Sequence, residues 1–75
     1  MDIGDMIRLK RKSHRLTQQE LSEILEETSS DRISYLERRP RAILSFNVDK
    51  LYILSDVLDI DIDLLIEERN KLKNK

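Results

Sequence analysis

Hydrogen-bonding side chains at helical spacing are concentrated in Ser30-Asp31-Arg32-Ile33-Ser34-Tyr35-Leu36-Glu37-Arg38-Arg39. Ile33 and Leu36 would share one face of a helix, which turns Ser30, Asp31, Arg32, Ser34 and Tyr35 outward. Donors and acceptors on a rigid, exposed helix suit the reading of base edges, because the major groove distinguishes base pairs by donor and acceptor pattern. Arg38, Arg39 and Arg41 follow with no acid among residues 38–41. Residues 8–15 add Arg8, Lys10, Arg11, Lys12 and Arg15, again without an acid. Basic patches of this kind attract phosphates, and the competing reading is an ordinary solvated charge mixture.

Other chemistry is poorly supplied. The absence of cysteine fits a reducing compartment and excludes a Cys-based zinc site or a thiol nucleophile. His14 is the single histidine and sits among basic residues near a helix end, where it reads as a solvated side chain and makes no metal site. No Ser–His–Asp order suggests a nucleophile. Carboxylates are many, but a helical chain of 75 residues rarely encloses the pocket that acid–base work requires. Neither an enzyme nor a cofactor is expected. Net charge is −1, yet it is unevenly spread. Over residues 42–68 the base Lys50 stands against Asp49, Asp56, Asp59, Asp61, Asp63, Glu67 and Glu68. A basic side facing phosphates and an acidic side facing away would reconcile the total with nucleic acid. Apolar runs stop at four residues. A membrane span needs about 20 and a secretory core about 7–15, so a cytoplasmic location is the expectation.

These side chains need helices to position them. One Gly, one Pro and an abundance of Leu, Ile, Glu, Lys and Arg favour an all-α chain, with a core too small to leave much stability in reserve. Thr17-Gln18-Gln19-Glu20 is a capping box, and Leu16 and Leu21 around it form a hydrophobic staple. Asn47 between Phe46 and Leu51, and Asp61 between Ile60 and Leu65, repeat the cap and the staple. Asp2 and Ser29 are weaker starts. The spacing predicts five helices at about 3–14, 18–25, 30–38, 48–58 and 62–69, joined by short loops except at 39–46. The alternation Asp59-Ile60-Asp61-Ile62-Asp63 imitates a strand, but the Asp61 cap explains it better. The reading is one domain over 1–68, with 69–75 as a basic tail or helix extension.

The order and spacing of several pieces resemble the phage repressor and Cro-like (XRE) helix-turn-helix transcriptional regulators. These pieces are Ile3-Gly4-x-x-Ile7-Arg8 with Lys10-Arg11, Leu16-Thr17-Gln18-Gln19-Glu20-Leu21, Ile33-Ser34-x-Leu36-Glu37-Arg38 and Leu58-x-Ile60-x-Ile62-x-x-Leu65. The resemblance spans residues 3–66. It implies a compact five-helix DNA-binding domain with the helix-turn-helix at helices 2 and 3. Gln18 would bond a phosphate through its amide and the helix start, and Ser29 and Ser30 would meet bases or nearby phosphates. Asp31, Arg32 and Tyr35 would lie deepest in the groove, with Arg32 bidentate on guanine. Asp31 would accept from cytosine or orient Arg32, and Tyr35 would meet a thymine methyl or a phosphate. Ser34 shares that face, and Arg38, Arg39 and Arg41 would clamp the backbone. Arg11 and Glu37 would form a structural ion pair, the alternative being Arg11 on a phosphate. The implied partner is double-stranded DNA, as a palindromic operator bound by a homodimer.

The chain also departs from the family pattern. The Leu25–Ile33 turn holds one extra residue, and Glu26 and Glu27 stand where a glycine is customary. Glycine is likewise missing after the first helix, at His14 and Arg15, and after the third, at Arg39. Left-handed backbone is costly without glycine, which predicts turns of a different shape. Glu26, Glu27 and Asp31 would weaken phosphate attraction. Ile43, Leu44 and Phe46 in the long loop, with Leu9, Ile24, Ile53 and Val57, are either a satellite core or a self-association surface. We favour the latter, with residues 42–66 supplying a dimer interface. Two other readings stay open. One is a protein-interaction module of the same fold, antitoxin-like or a co-regulator, with little DNA affinity. The other is the DNA-binding piece of a longer sensor.

Overall fold

The caps written into the sequence start helices in the computed structural model, which describes residues 1–74. Asp2 accepts from the Asp5 amide at 2.8 Å and opens α1 (Ile3–Ser13). Thr17 and Glu20 exchange both bonds of a capping box, at 3.0 and 2.9 Å, and open α2 (Gln18–Ile24). The third start is looser. Ser30 occupies the cap position of α3 (Asp31–Arg38) without a side-chain bond, and Ser29 Oγ instead accepts from the Asp31 amide at 3.2 Å. Asn47 caps α4 (Val48–Leu58) and Asp61 caps α5 (Ile62–Lys73), each side chain accepting a backbone N–H at 2.9 Å. The staple residues Leu21, Phe46, Leu51, Ile60 and Leu65 are buried, and Leu16 packs against them half-buried.

One boundary differs from expectation. Residues 39–46, read as a loop, contain a 3-10 helix at Pro40–Ser45, so the described residues hold six helical segments rather than five. Proline suits the first turn of a helix, because its missing N–H would have no partner there. The last helix runs past residue 69 to Lys73, which is the helix-extension alternative for that segment. Leu72 packs on the core, Arg41 donates to the Leu72 carbonyl at 3.2 Å, and Lys71 and Lys73 suit the negative end of the helix.

The core draws on every segment. Ile3, Ile7, Leu21, Leu25, Ile33, Leu36, Ile43, Phe46, Leu51, Leu54, Leu58, Ile60 and Leu65 form one buried cluster. Ile43 and Phe46 are thus fixed inside the chain, 0% and 1% exposed, and are unavailable as a self-association surface. Ile53 and Val57 pack on the same cluster half-buried, while Leu9 and Ile24 stay exposed. α1 lies on α3 and α4, α2 on α3, and α5 on α4 and the 3-10 helix, which also packs on α3. The radius of gyration, 11.1 Å, matches the roughly 11 Å of a close-packed chain this long.

The helix ends take the glycine shape without glycine. Arg15 and Glu26 have φ of 59°, and Asp59 has φ of 54°. Leu16 and Arg15 donate to Arg11 and Lys12, and Glu27 and Glu26 donate to Ser22 and Glu23, closing two Schellman motifs. The expectation that these two turns differ in shape is therefore corrected: the C-terminal hydrogen bonds hold side-chain-bearing residues in the left-handed region. After α3 the expectation stands, since Arg39 is extended with φ −131°. The glycine present serves another purpose. A Cβ on Gly4 would stand 2.7 Å from the Leu36 carbonyl oxygen and 2.8 Å from that of Glu37, so its absence lets α1 touch the end of α3. Among the described residues no helix is long and apolar enough to cross a membrane.

Candidate nucleic-acid interface

α3 carries the candidate site, and each of its ends is held by a polar network. At its C-terminal end, Arg11 from α1 meets Glu37, with Nε 2.7 Å from Oε2 and Nη2 3.1 Å from Oε1. The remaining arm, Nη1, donates to the Leu16 carbonyl at 2.8 Å. Both side chains are buried, at 9% and 4% exposure, which places Arg11 in the fold rather than on the surface. Gln18 completes the network, since its amide nitrogen donates to Glu37 Oε1 at 3.1 Å. The amide assigned to a phosphate in the sequence reading is thereby engaged within the protein.

At the N-terminal end the organising group is Glu27, in the turn with the extra residue. Its side chain is 7% exposed and lies between two cations. Arg32 Nη1 approaches Oε1 at 2.6 Å, and Lys50 of α4 bonds Oε2. Arg32 Nη2 donates to the Ser45 carbonyl and hydroxyl at 3.0 and 2.9 Å. The guanidinium also lies over the Phe46 ring, 4.3 Å from its centre. Arg32 is therefore committed to the protein in this structure, and the free guanine-reading arm expected from sequence is not what the geometry offers. Sequence reasoning treated Glu27 only as a charge unfavourable to phosphate. No local pattern announces its role, because its partners lie 5 and 23 residues away. The extra residue in the turn was the one available signal.

The other assigned residues divide by position. Asp31, Arg32, Ser34, Tyr35 and Arg38 line an open groove of about 360 Å³ along the outer side of α3. Tyr35 is 52% exposed there, and Asp31 and Arg38 are exposed too. Arg38 turns back toward the Ser34 carbonyl at 3.4 Å. A second open groove, of about 610 Å³, runs past Arg11, Lys12, Arg15, Leu16, Thr17, Gln18, Gln19 and Ser30. Lys12, Arg15 and Gln19 were not singled out from sequence as site residues, although the first two lie in the basic run. Ser29 and Ser30 are half-buried at the entry to α3. Arg39 is exposed just beyond its end. Arg41, exposed, donates instead to the Leu72 carbonyl at the end of α5.

Acidity lies mainly on other helices. Asp49 and Asp56 on α4, Asp63 and Glu67 on α5, and Asp59 and Asp61 between them are exposed. His14 is exposed, as expected, and its Nε2 lies 3.5 Å from an Asp59 carboxylate oxygen. Glu20 has its carboxyl held below the usual glutamate range by the Thr17 backbone N–H, and next by the Thr17 hydroxyl. Among the described residues no group of three or more His, Cys, Asp or Glu side chains could hold a metal ion. What the arrangement offers is donors and acceptors on a fixed helix beside a basic groove. No family model, curated protein or solved structure matches the chain.

Proposed function

We propose that the protein binds duplex DNA in a sequence-specific manner and regulates transcription, with α2 and α3 as a helix-turn-helix and α3 in the major groove. The observation that carries this reading is the outward face of α3, where Asp31, Ser34, Tyr35 and Arg38 line one groove on a helix anchored at both ends. Side chains on rigid elements can discriminate donor and acceptor patterns, because little of the contact energy goes into ordering them. Lys12 and Arg15 beside Ser30 supply phosphate attraction, and the exposed acids of α4 and α5 disfavour the opposite approach. Arg39 joins them as a backbone contact. A homodimer on half-sites about 34 Å apart is the matching assembly. Its interface uses the exposed Val48 and Tyr52 of α4 rather than the buried Ile43 and Phe46. The test is selection of duplexes from a random pool at defined salt. An enriched palindrome is expected, and no enrichment refutes the proposal.

A second reading has its own support. The exposed apolar residues Leu9, Ile24, Val48 and Tyr52, with a net charge of −1, favour a protein-interaction module of the same fold. Weak, salt-insensitive association with every duplex would select it.

A further inference from the structure

We infer that Glu27 is a positioning residue for the reading face of α3, and that Arg32 is the arm through which it acts and reads no base. The inference rests on the duplex-binding reading above.

Its ground is the disposition of one guanidinium. Reading guanine takes two parallel N–H donors aimed at O6 and N7. Arg32 sets Nη1 in an ion pair with Glu27 and donates Nη2 to both oxygens of Ser45, and its plane covers Phe46. Releasing it would leave the Glu27 carboxylate, 7% exposed, with Lys50 as its one cation. A buried carboxylate that loses one of its two cations costs more than a broken surface pair. The chain gains more by keeping the arm where it is.

The same contacts define a lever. Glu27 follows the left-handed Glu26, and its backbone N–H closes the α2 motif on the Ser22 carbonyl at 2.9 Å. Its side chain thus joins the end of α2 to α4 through Lys50. Arg32, in the first turn of α3, joins that carboxylate to Ser45 and Phe46 at the end of the 3-10 helix. Four segments meet in the cluster of Glu27 and Arg32, beside the groove that Arg32 lines with Asp31, Ser34, Tyr35 and Arg38. The extra residue in the turn therefore works as an anchor that sets the angle of α3. Specificity comes from that groove's remaining side chains, and Glu27 governs it without touching DNA.

The test uses the full chain and a duplex selected by the unaltered protein. Glu27→Gln, Arg32→Gln and the double variant are titrated with that duplex at a temperature where circular dichroism shows each one folded. Each single change is expected to weaken binding about tenfold, the scale on which members of one hydrogen-bond network couple. The double variant is expected to bind no worse than the weaker single. The loss should spread over every base pair met by α3, and the salt dependence should stay unchanged, because no phosphate contact is removed. Four results would overturn the inference. They are Glu27→Gln binding as tightly as the unaltered chain, losses that multiply in the double variant, loss of preference at one base pair alone in Arg32→Gln, and a salt slope lowered by about 0.9 in Arg32→Gln. Should Glu27→Gln not fold, Lys50→Met removes only the α4 link. A weaker loss of the same pattern is expected from it, and full affinity overturns the inference. Failure of the unaltered chain to select any duplex overturns the functional reading itself and is seen before any variant is made.

Discussion

Replacing Arg11 by methionine tests how α1 and α3 are joined. The substitution keeps most of the aliphatic stem and removes three interactions: Nε to Glu37 at 2.7 Å, Nη2 to Glu37 at 3.1 Å and Nη1 to the Leu16 carbonyl at 2.8 Å. Glu37, with its side chain 4% exposed, keeps only the Gln18 amide. Breaking one side of a buried pair costs about 3–5 kcal/mol, mostly the penalty of the orphaned charge. A domain of 75 residues holds about 4–11 kcal/mol in all, so the single change removes about a quarter of its stability at least. The melting temperature should fall by more than about 12 °C at about 4–8 °C per kcal/mol. Urea unfolding followed by circular dichroism reads the same quantity, with the slope in denaturant unchanged. Adding Glu37→Leu removes the orphan and should restore at least half of the loss. A single-variant loss below about 1 kcal/mol, the value of an exposed pair, would refute the argument from burial. Duplex binding abolished at an unchanged melting temperature would put Arg11 on a phosphate and refute it differently.

Gly4→Ala, stabilising by about 1 kcal/mol in an ordinary helix, should here destabilise by about 1–3 kcal/mol in urea, because the new methyl meets two carbonyl oxygens of α3. Glu26→Gly should raise stability by about 0.5–1 kcal/mol in the same assay, since it relieves a left-handed residue at some cost in unfolded-chain entropy. Thr17 holds the Glu20 carboxyl below its ordinary value, so this group favours the fold above the unfolded pKa, and its contribution disappears as pH falls through the folded pKa. Glu20→Gln should accordingly flatten the acid side of the stability profile while the alkaline side keeps its shape. Lys12→Ala should weaken binding evenly across duplex sequences and lower the salt slope by about 0.9, with no change in base preference.

The parts of this molecule legible in its sequence are those fixed by neighbours within a few residues. The Thr17–Glu20 box, the Asn47 and Asp61 caps and their apolar staples need only local geometry, and helices start at all three. The 3-10 segment escaped because Pro40–Ser45 has no period of its own and is ordered by Ile43 inside the core. For residues 69–75 the sequence left a tail or a helix extension open, and α5 takes the extension to Lys73 because Leu72 and Arg41, 31 residues apart, fix its end jointly. Site residues follow the same division. The outward positions of α3 could be read from the inward Ile33 and Leu36. The engagement of Arg32 could not, because its fate depends on Ser45 and Phe46, distant in the chain. Glycine is not required at these helix ends. Arg15, Glu26 and Asp59 adopt its conformation where hydrogen bonds from the following residues hold them there.

α3 is held by Arg11 and by the Gly4 contact at one end, and by the Glu27 cluster at the other. Under the duplex-binding proposal, a helix fixed in this way has little freedom to tilt and follow the groove it would enter. Adaptation would then fall to the duplex, which would have to open, narrow or bend to meet the protein. Bending a site of 20–30 base pairs by 40–90° costs about 1–6 kcal/mol and depends on which steps are strained. Base pairs that no side chain reaches, between the half-sites, would enter the preference through their stiffness alone.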